Sequence, residues 1–250
     1  MRKLIFIALF LLTACTGQPT QDARYGESGE RESARIHAEL AAGYFAQNQL
    51  AIALEEYTLA TRYDASYGAA YNGLGLVYGM LRDDVKAEAN FKKSLELDAG
   101  NSESRNNYGT FLCSRNRVDE SIVQFLEAVK NPLYSTPAQA YMNAGICSLR
   151  KKDVSSAELY FKSALQIEPL LHAAAYQLSL IQFNLGQYEV ARNSLQYALV
   201  TAPTAEMLWL AIQIERKLGG QDAEASYALE LRRKFPSSEQ AKALFSGANK

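Results

Sequence analysis

Three cysteines and two histidines carry the thiol and imidazole chemistry of this 250-residue chain. They are too few and too scattered for a zinc cluster. His37 and His172 stand without a Cys, Asp or Glu set at ligand spacing, so each reads as a packed or solvent-facing ring. The run Gly73-Leu74-Gly75-Leu76-Val77-Tyr78-Gly79 loosely has the look of a phosphate loop. No strand precedes it and it falls inside an expected helix, so phosphate chemistry is not assigned to it. Lys92-Lys93, Arg150-Lys151-Lys152 and Arg232-Arg233-Lys234 read as solvated helix ends and turns. Basic residues number 26 and acidic residues 27, so there is no basic stripe for nucleic acid. No catalytic constellation, metal site, cofactor site or small-molecule substrate site is expected, and the chain reads as non-enzymatic.

Cys15 stands in a different setting. Arg2 and Lys3 precede an apolar run from Leu4 to Leu12, which is too short to span a bilayer and has the size of a secretory signal core. Leu12-Thr13-Ala14-Cys15 resembles the bacterial lipobox; the other reading is an ordinary signal peptide with an incidental cysteine. The resemblance implies cleavage after residue 14 and acylation of Cys15, and Thr16 in place of Asp then favours the outer membrane. Several acyl chains hold a protein firmly, since each buried CH₂ contributes about 0.8 kcal/mol. Without a polybasic patch, membrane contact is expected through the lipid alone. Residues 15–33 are expected to be a flexible tether, with Gly17, Pro19, Gly26 and Gly29 among polar residues.

The remainder repeats with a period of 34 residues, that of the tetratricopeptide pattern. The clearest copy holds Tyr71, Leu74, Gly75, Tyr78, Ala87, Phe91 and Ser94. One period earlier stand His37, Leu40, Ala41, Tyr44, Ala53, Tyr57 and Ala60; one later, Tyr108, Gly109, Leu112, Ser121, Phe125 and Ala128. After a two-residue slip near Thr136-Pro137 come Tyr141, Ala144, Gly145, Ala157, Phe161, Ala164 and Pro169. The fifth copy has Leu178, Ala191, Leu195, Ala198 and Pro203, and the sixth has Trp209, Ile212, Ala225 and Leu229 with Pro236 one place early. The spacing predicts six helical hairpins, 34–67, 68–101, 102–135, 138–171, 172–205 and 206–239. The expected fold is all-α: a right-handed α-solenoid of six tetratricopeptide repeats with a short C-terminal capping helix. Within each hairpin, Gly or Ala at position 8 lets two helices approach, and an aromatic residue at position 24 fills the gap between repeats. Repeats five and six carry Ser179 and Gln213 at position 8 instead. Ser237-Ser238-Glu239-Gln240 is a capping-box-like start for the last helix, with the cap and tail over 240–250.

Cys113 and Cys147 fall at positions 12 and 10 of adjacent first helices, so a disulfide between repeats three and four is plausible. Two buried free thiols are the alternative. In such arrays the first helices line a concave face. Its expected partner groove comprises Ala38, Phe45, Asn72, Leu76, Met80, Asn106, Thr110, Met142, Ile146, Leu149, Tyr176, Leu180 and Phe183, continued by Leu210 and Ile214. Asn72 and Asn106 share position 5 and are candidates for bonding a ligand backbone. Arg35 and Arg150 are too far apart to clamp one carboxylate.

The lipobox, the short tether and six repeats together resemble the type IV pilus biogenesis lipoproteins of the PilF/PilW kind, the pilotins. Asn106-Asn107-Tyr108-Gly109-Thr110-Phe111-Leu112, the Asn131-Pro132-Leu133-Tyr134 break and the closing segment Ala225 to Pro236 carry the resemblance beyond the generic repeat. It implies a non-enzymatic protein, lipid-anchored at the outer membrane and facing the periplasm. Its partners would be secretin subunits, whose localisation and multimer assembly it promotes. An adaptor lipoprotein for other envelope assembly or cell-wall enzyme complexes is the alternative.

Overall fold

The computed structural model describes residues 21–247, among which thirteen helices alternate with short turns. The chain divides into two compact units, the first ending at Tyr67 and the second beginning at Gly68. The expected signal peptide and the expected acylation site, Cys15, lie outside the described residues.

The first unit is one hairpin, α1 (Gln21–Ala46) packed on α2 (Leu50–Tyr63). Here the expected tether is corrected: from residue 21 onward it is helix, continuous with the first repeat. No proline interrupts the segment after Pro19, and its polar residues tolerate an exposed helix. Arg35 ties successive turns by pairing with Glu32 at 2.5 Å and Glu39 at 2.6 Å. Arg31 reaches Asp64 and lies over the Tyr67 ring, so the extension leans on the end of α2. Ala41, Ala53, Tyr57 and Ala60 are buried, whereas Leu40 is exposed.

The second unit stacks five hairpins: α3 (Gly68–Met80) with α4 (Asp84–Leu97), α5 (Ser102–Ser114) with α6 (Val118–Ala128), α7 (Pro137–Arg150) with α8 (Val154–Ile167), α9 (His172–Asn184) with α10 (Tyr188–Thr201), and α11 (Ala205–Leu218) with α12 (Gln221–Lys234). Each second helix also packs on the next first helix. Side-chain caps from Asp83, Asn101, Asp153 and Thr204 start four of these helices. Ser238 Oγ accepts from Ala241 N to start α13 (Glu239–Gly247), whose Ala241 and Leu244 bury themselves on the last core cluster. Such a cover is what a terminal repeat needs, because its outer apolar face has no neighbour.

A residue with positive φ marks every hairpin turn: Asn48, Arg82, Asn116, Lys152, Gly186 and Gly219. Their spacing is 34, 34, 36, 34 and 33 residues. The 36 is the expected insertion. The 33 corrects the sixth copy: the connection before α11 (202–204) is one residue shorter than the one before α9 (168–171), so the whole copy runs one place early. The second helix of that copy is therefore rotated from the expected register. Ala225 and Leu229 face solvent, and Tyr227, Ala228 and Leu231 pack inward.

The small residue at position 8 meets the aromatic at position 24 of its own hairpin. A Cβ on Gly75 would sit 2.8 Å from the Phe91 ring, one on Gly109 2.7 Å from Phe125, and one on Gly145 2.6 Å from Phe161. These rings are essentially inaccessible to solvent. Repeat five solves the same contact differently. Ser179 is accommodated by the smaller Leu195, and its hydroxyl donates to Ala191 O at 2.8 Å.

Candidate functional site: a polar ladder on the first helices

Among the first helices of the second unit, α3 touches α5, α5 touches α7 and α9 touches α11, and the face shared by α3, α5 and α7 is stitched by amides. Asn107 Nδ2 donates to Asn72 Oδ1 at 3.3 Å, and Asn143 Nδ2 donates to Asn106 Oδ1 at 3.0 Å. Gln139 Nε2 donates in turn to Asn143 Oδ1. The rule is regular: position 5 of one repeat accepts from position 6 of the next. The groove residues chosen from sequence included the acceptors and missed the donors Asn107 and Asn143. Polar residues at position 6 of consecutive repeats were the available signal. Asn72 is buried, so its role is to hold two repeats together. Asn106 stays half-exposed, with its oxygen committed to Asn143.

The other groove candidates divide by exposure. Met80, Thr110 and Ile146 are open to solvent. Leu76 packs against the Phe91–Tyr108–Phe111 cluster, Met142 and Leu149 against the Phe161 cluster, and Tyr176, Leu180 and Phe183 against the last cluster, each partly covered. Phe45 is half-exposed in the first unit, where Ala38 is buried and therefore presents nothing to a ligand. Leu210 and Ile214 are also buried, which corrects their place in the groove: the last core cluster, including the cap helix, covers them.

Cys113 and Cys147 lie side by side, with Cα atoms 5.8 Å apart and sulfurs at bonding distance. That separation is inside the range a disulfide requires. Neither histidine joins a metal cluster, and no group of three metal-ligating side chains occurs among the described residues. His37 Nδ1 meets Glu56 at 2.6 Å and its ring stacks on Tyr63; His172 bonds Thr201 Oγ1 at 2.5 Å.

Charge in this region is structural. Glu88 receives Arg117, Lys92 and the Tyr108 hydroxyl. The Arg117 hydrogen bonds, foremost, hold its carboxyl down at about 2. Burial, then Glu88 itself, pushes the Tyr108 hydroxyl up to about 12. Arg115 bridges Asp84 and the Gly79 carbonyl while lying over Phe111, fastening α5 to the preceding hairpin.

The arrangement is a stack of interaction-ready helices, and known proteins share it. The tetratricopeptide repeat model matches residues 176–239. The chain is 27% identical over 236 residues to the type IV pilus assembly protein PilF of Pseudomonas aeruginosa, covering 94% of each. A solved structure of that PilF superposes with a TM-score of 0.75 at 26% identity, over 88% of this chain and 99% of the other. PilW, described as a widely conserved type IV pilus biogenesis factor, superposes with a TM-score of 0.70 at 30% identity, over 85% of this chain and 98% of its own. The chain belongs to the PilF/PilW family of tetratricopeptide-repeat proteins of type IV pilus biogenesis.

Proposed function

We propose that this protein is a pilotin: a non-enzymatic lipoprotein, acylated at Cys15, that carries secretin subunits of the type IV pilus to the outer membrane and promotes their assembly into multimers. The near end-to-end likeness to PilF carries this reading, since it extends over 94% of both chains. The Leu12-Thr13-Ala14-Cys15 sequence supports the anchor, and no described helix is long and apolar enough to cross a membrane. In the oxidising compartment this implies, Cys113 and Cys147 are joined as a disulfide that staples repeats three and four. The exposed inner-face residues Met80, Thr110 and Ile146, with Asn106, form the client surface.

Replacing Cys15 by Ser tests the reading. In a host lacking the native copy, the variant should be lost from outer-membrane fractions, with fewer secretin multimers and pili. Unchanged multimers and piliation would overturn it, as would co-purification with cell-wall enzymes and without secretin.

A further inference from the structure

The longer connection between α6 and α7 opens a cleft. Its walls are the α4–α5 turn, the first turns of α5 and residues 131–136, and it encloses about 580 Å³. Ligand sites typically measure about 300–1,000 Å³. Asp98 and Glu103 line it, and neither Lys nor Arg does. Glu103 acts across the space: burial first, and then its negative charge, disfavours ionisation of the Tyr134 hydroxyl on the opposite wall and pushes its pKa up. Ser102 also belongs to this lining. It is 5% exposed, yet its hydroxyl oxygen has no hydrogen-bond partner. A buried hydroxyl is ordinarily bonded, so an orphan here marks a place where a donor or acceptor is missing. At the rim Leu133 is 89% exposed, next to this polar hollow. Asn106 lines the cleft too, which makes the hollow continuous with the inner face already described.

We propose that this cleft receives a lysine or arginine side chain from an extended partner segment, with an adjoining apolar residue of that segment resting on Leu133. The inference rests on the reading of the protein as a protein-binding scaffold and names the chemistry of its partner. Two carboxylates with no Lys or Arg in the lining beside them repel anions and attract a cation. The Leu133 side chain rewards an apolar neighbour. A glycan would use the hydroxyls and amides but would gain nothing from the carboxylate charge.

The test uses the full mature chain in detergent and a capped peptide, acetyl-Gly-Leu-Lys-Leu-Gly-amide, with norleucine or Glu in place of its Lys. The Lys peptide should bind about tenfold more tightly than the norleucine peptide, and added salt should narrow the gap. Glu103→Gln should abolish that preference. Glu103 is exposed at the start of α5, so an unchanged melting curve will show that the variant folds. Leu133→Ser should weaken both peptides alike. Equal binding of Lys and norleucine peptides, a preference that survives Glu103→Gln, or displacement of the Lys peptide by chitotriose would each overturn the proposal. Failure of the pilus reading looks different: normal piliation in the Cys15→Ser strain, whatever the peptides do. Failure of the cleft alone leaves the Cys15→Ser defect intact.

Discussion

The Phe161 ring occupies the space where a side chain on Gly145 would begin: a Cβ there would lie 2.6 Å from it. Both residues belong to one hairpin, and both are buried. Gly145→Ala is therefore expected to destabilise the protein by about 1–3 kcal/mol through overpacking. Repeat five supplies the remedy, since Ser179 coexists with Leu195. Adding Phe161→Leu to Gly145→Ala should recover part of the loss. Urea unfolding of the two single variants and the double variant checks this; strict additivity would refute the ring-on-glycine account.

Lys152 adopts φ 63° in a turn where Gly186 and Gly219 take the same conformation in later repeats. A left-handed conformation costs a residue with a side chain about 1–2 kcal/mol, offset by the greater freedom of unfolded glycine. Lys152→Gly is thus expected to raise stability by about 0.5–1 kcal/mol. A lower melting temperature would contradict it.

Glu88 has a carboxyl held at about 2 by Arg117, below its ordinary 4.5. A depressed folded pKa gives stability that is present above the unfolded value and lost as pH falls through the folded one. The protein should therefore weaken between pH about 5 and 2. With solvent screening taken into account, Glu88 contributes about 1–2 kcal/mol of that loss. Glu88→Gln should flatten the pH dependence of the urea midpoint over that window.

Cys113 and Cys147 close a loop of 34 residues. If oxidised as proposed, the pair stabilises by about 3–4 kcal/mol through loop closure. A reducing agent should lower the urea midpoint of the wild type and leave Cys147→Ser unmoved. Two free thiols titrating in the unreduced mature protein would end the assignment.

Much of this was legible in the chain because the repeat is written in residue type. Glycine recurs opposite phenylalanine at a fixed distance, and the insertion after Pro132 shows as a broken frame. The register of α12 was not legible. One residue missing from a connection rotates a helix by about 100°, and Ala225 with Leu229 looked as apolar as Tyr227, Ala228 and Leu231. The inner face was half legible. Position told which residues point there, and only packing told that Asn72, Ala38, Leu210 and Ile214 are covered. The amide ladder escaped because its partners are 35 or more residues apart and no local pattern binds them. The helix preceding Ser33 escaped because its residues are polar and its support, Arg31 on Asp64, is distant in sequence.

By itself, then, the sequence determined the hairpins, their number and the breaks between them, since these follow from local periodicity and from which side chains fit between two helices. Tertiary structure alone decided which polar groups remain open, which are spent between repeats, and where a longer connection leaves a cleft. Those outcomes depend on distances between segments that no short stretch of chain encodes.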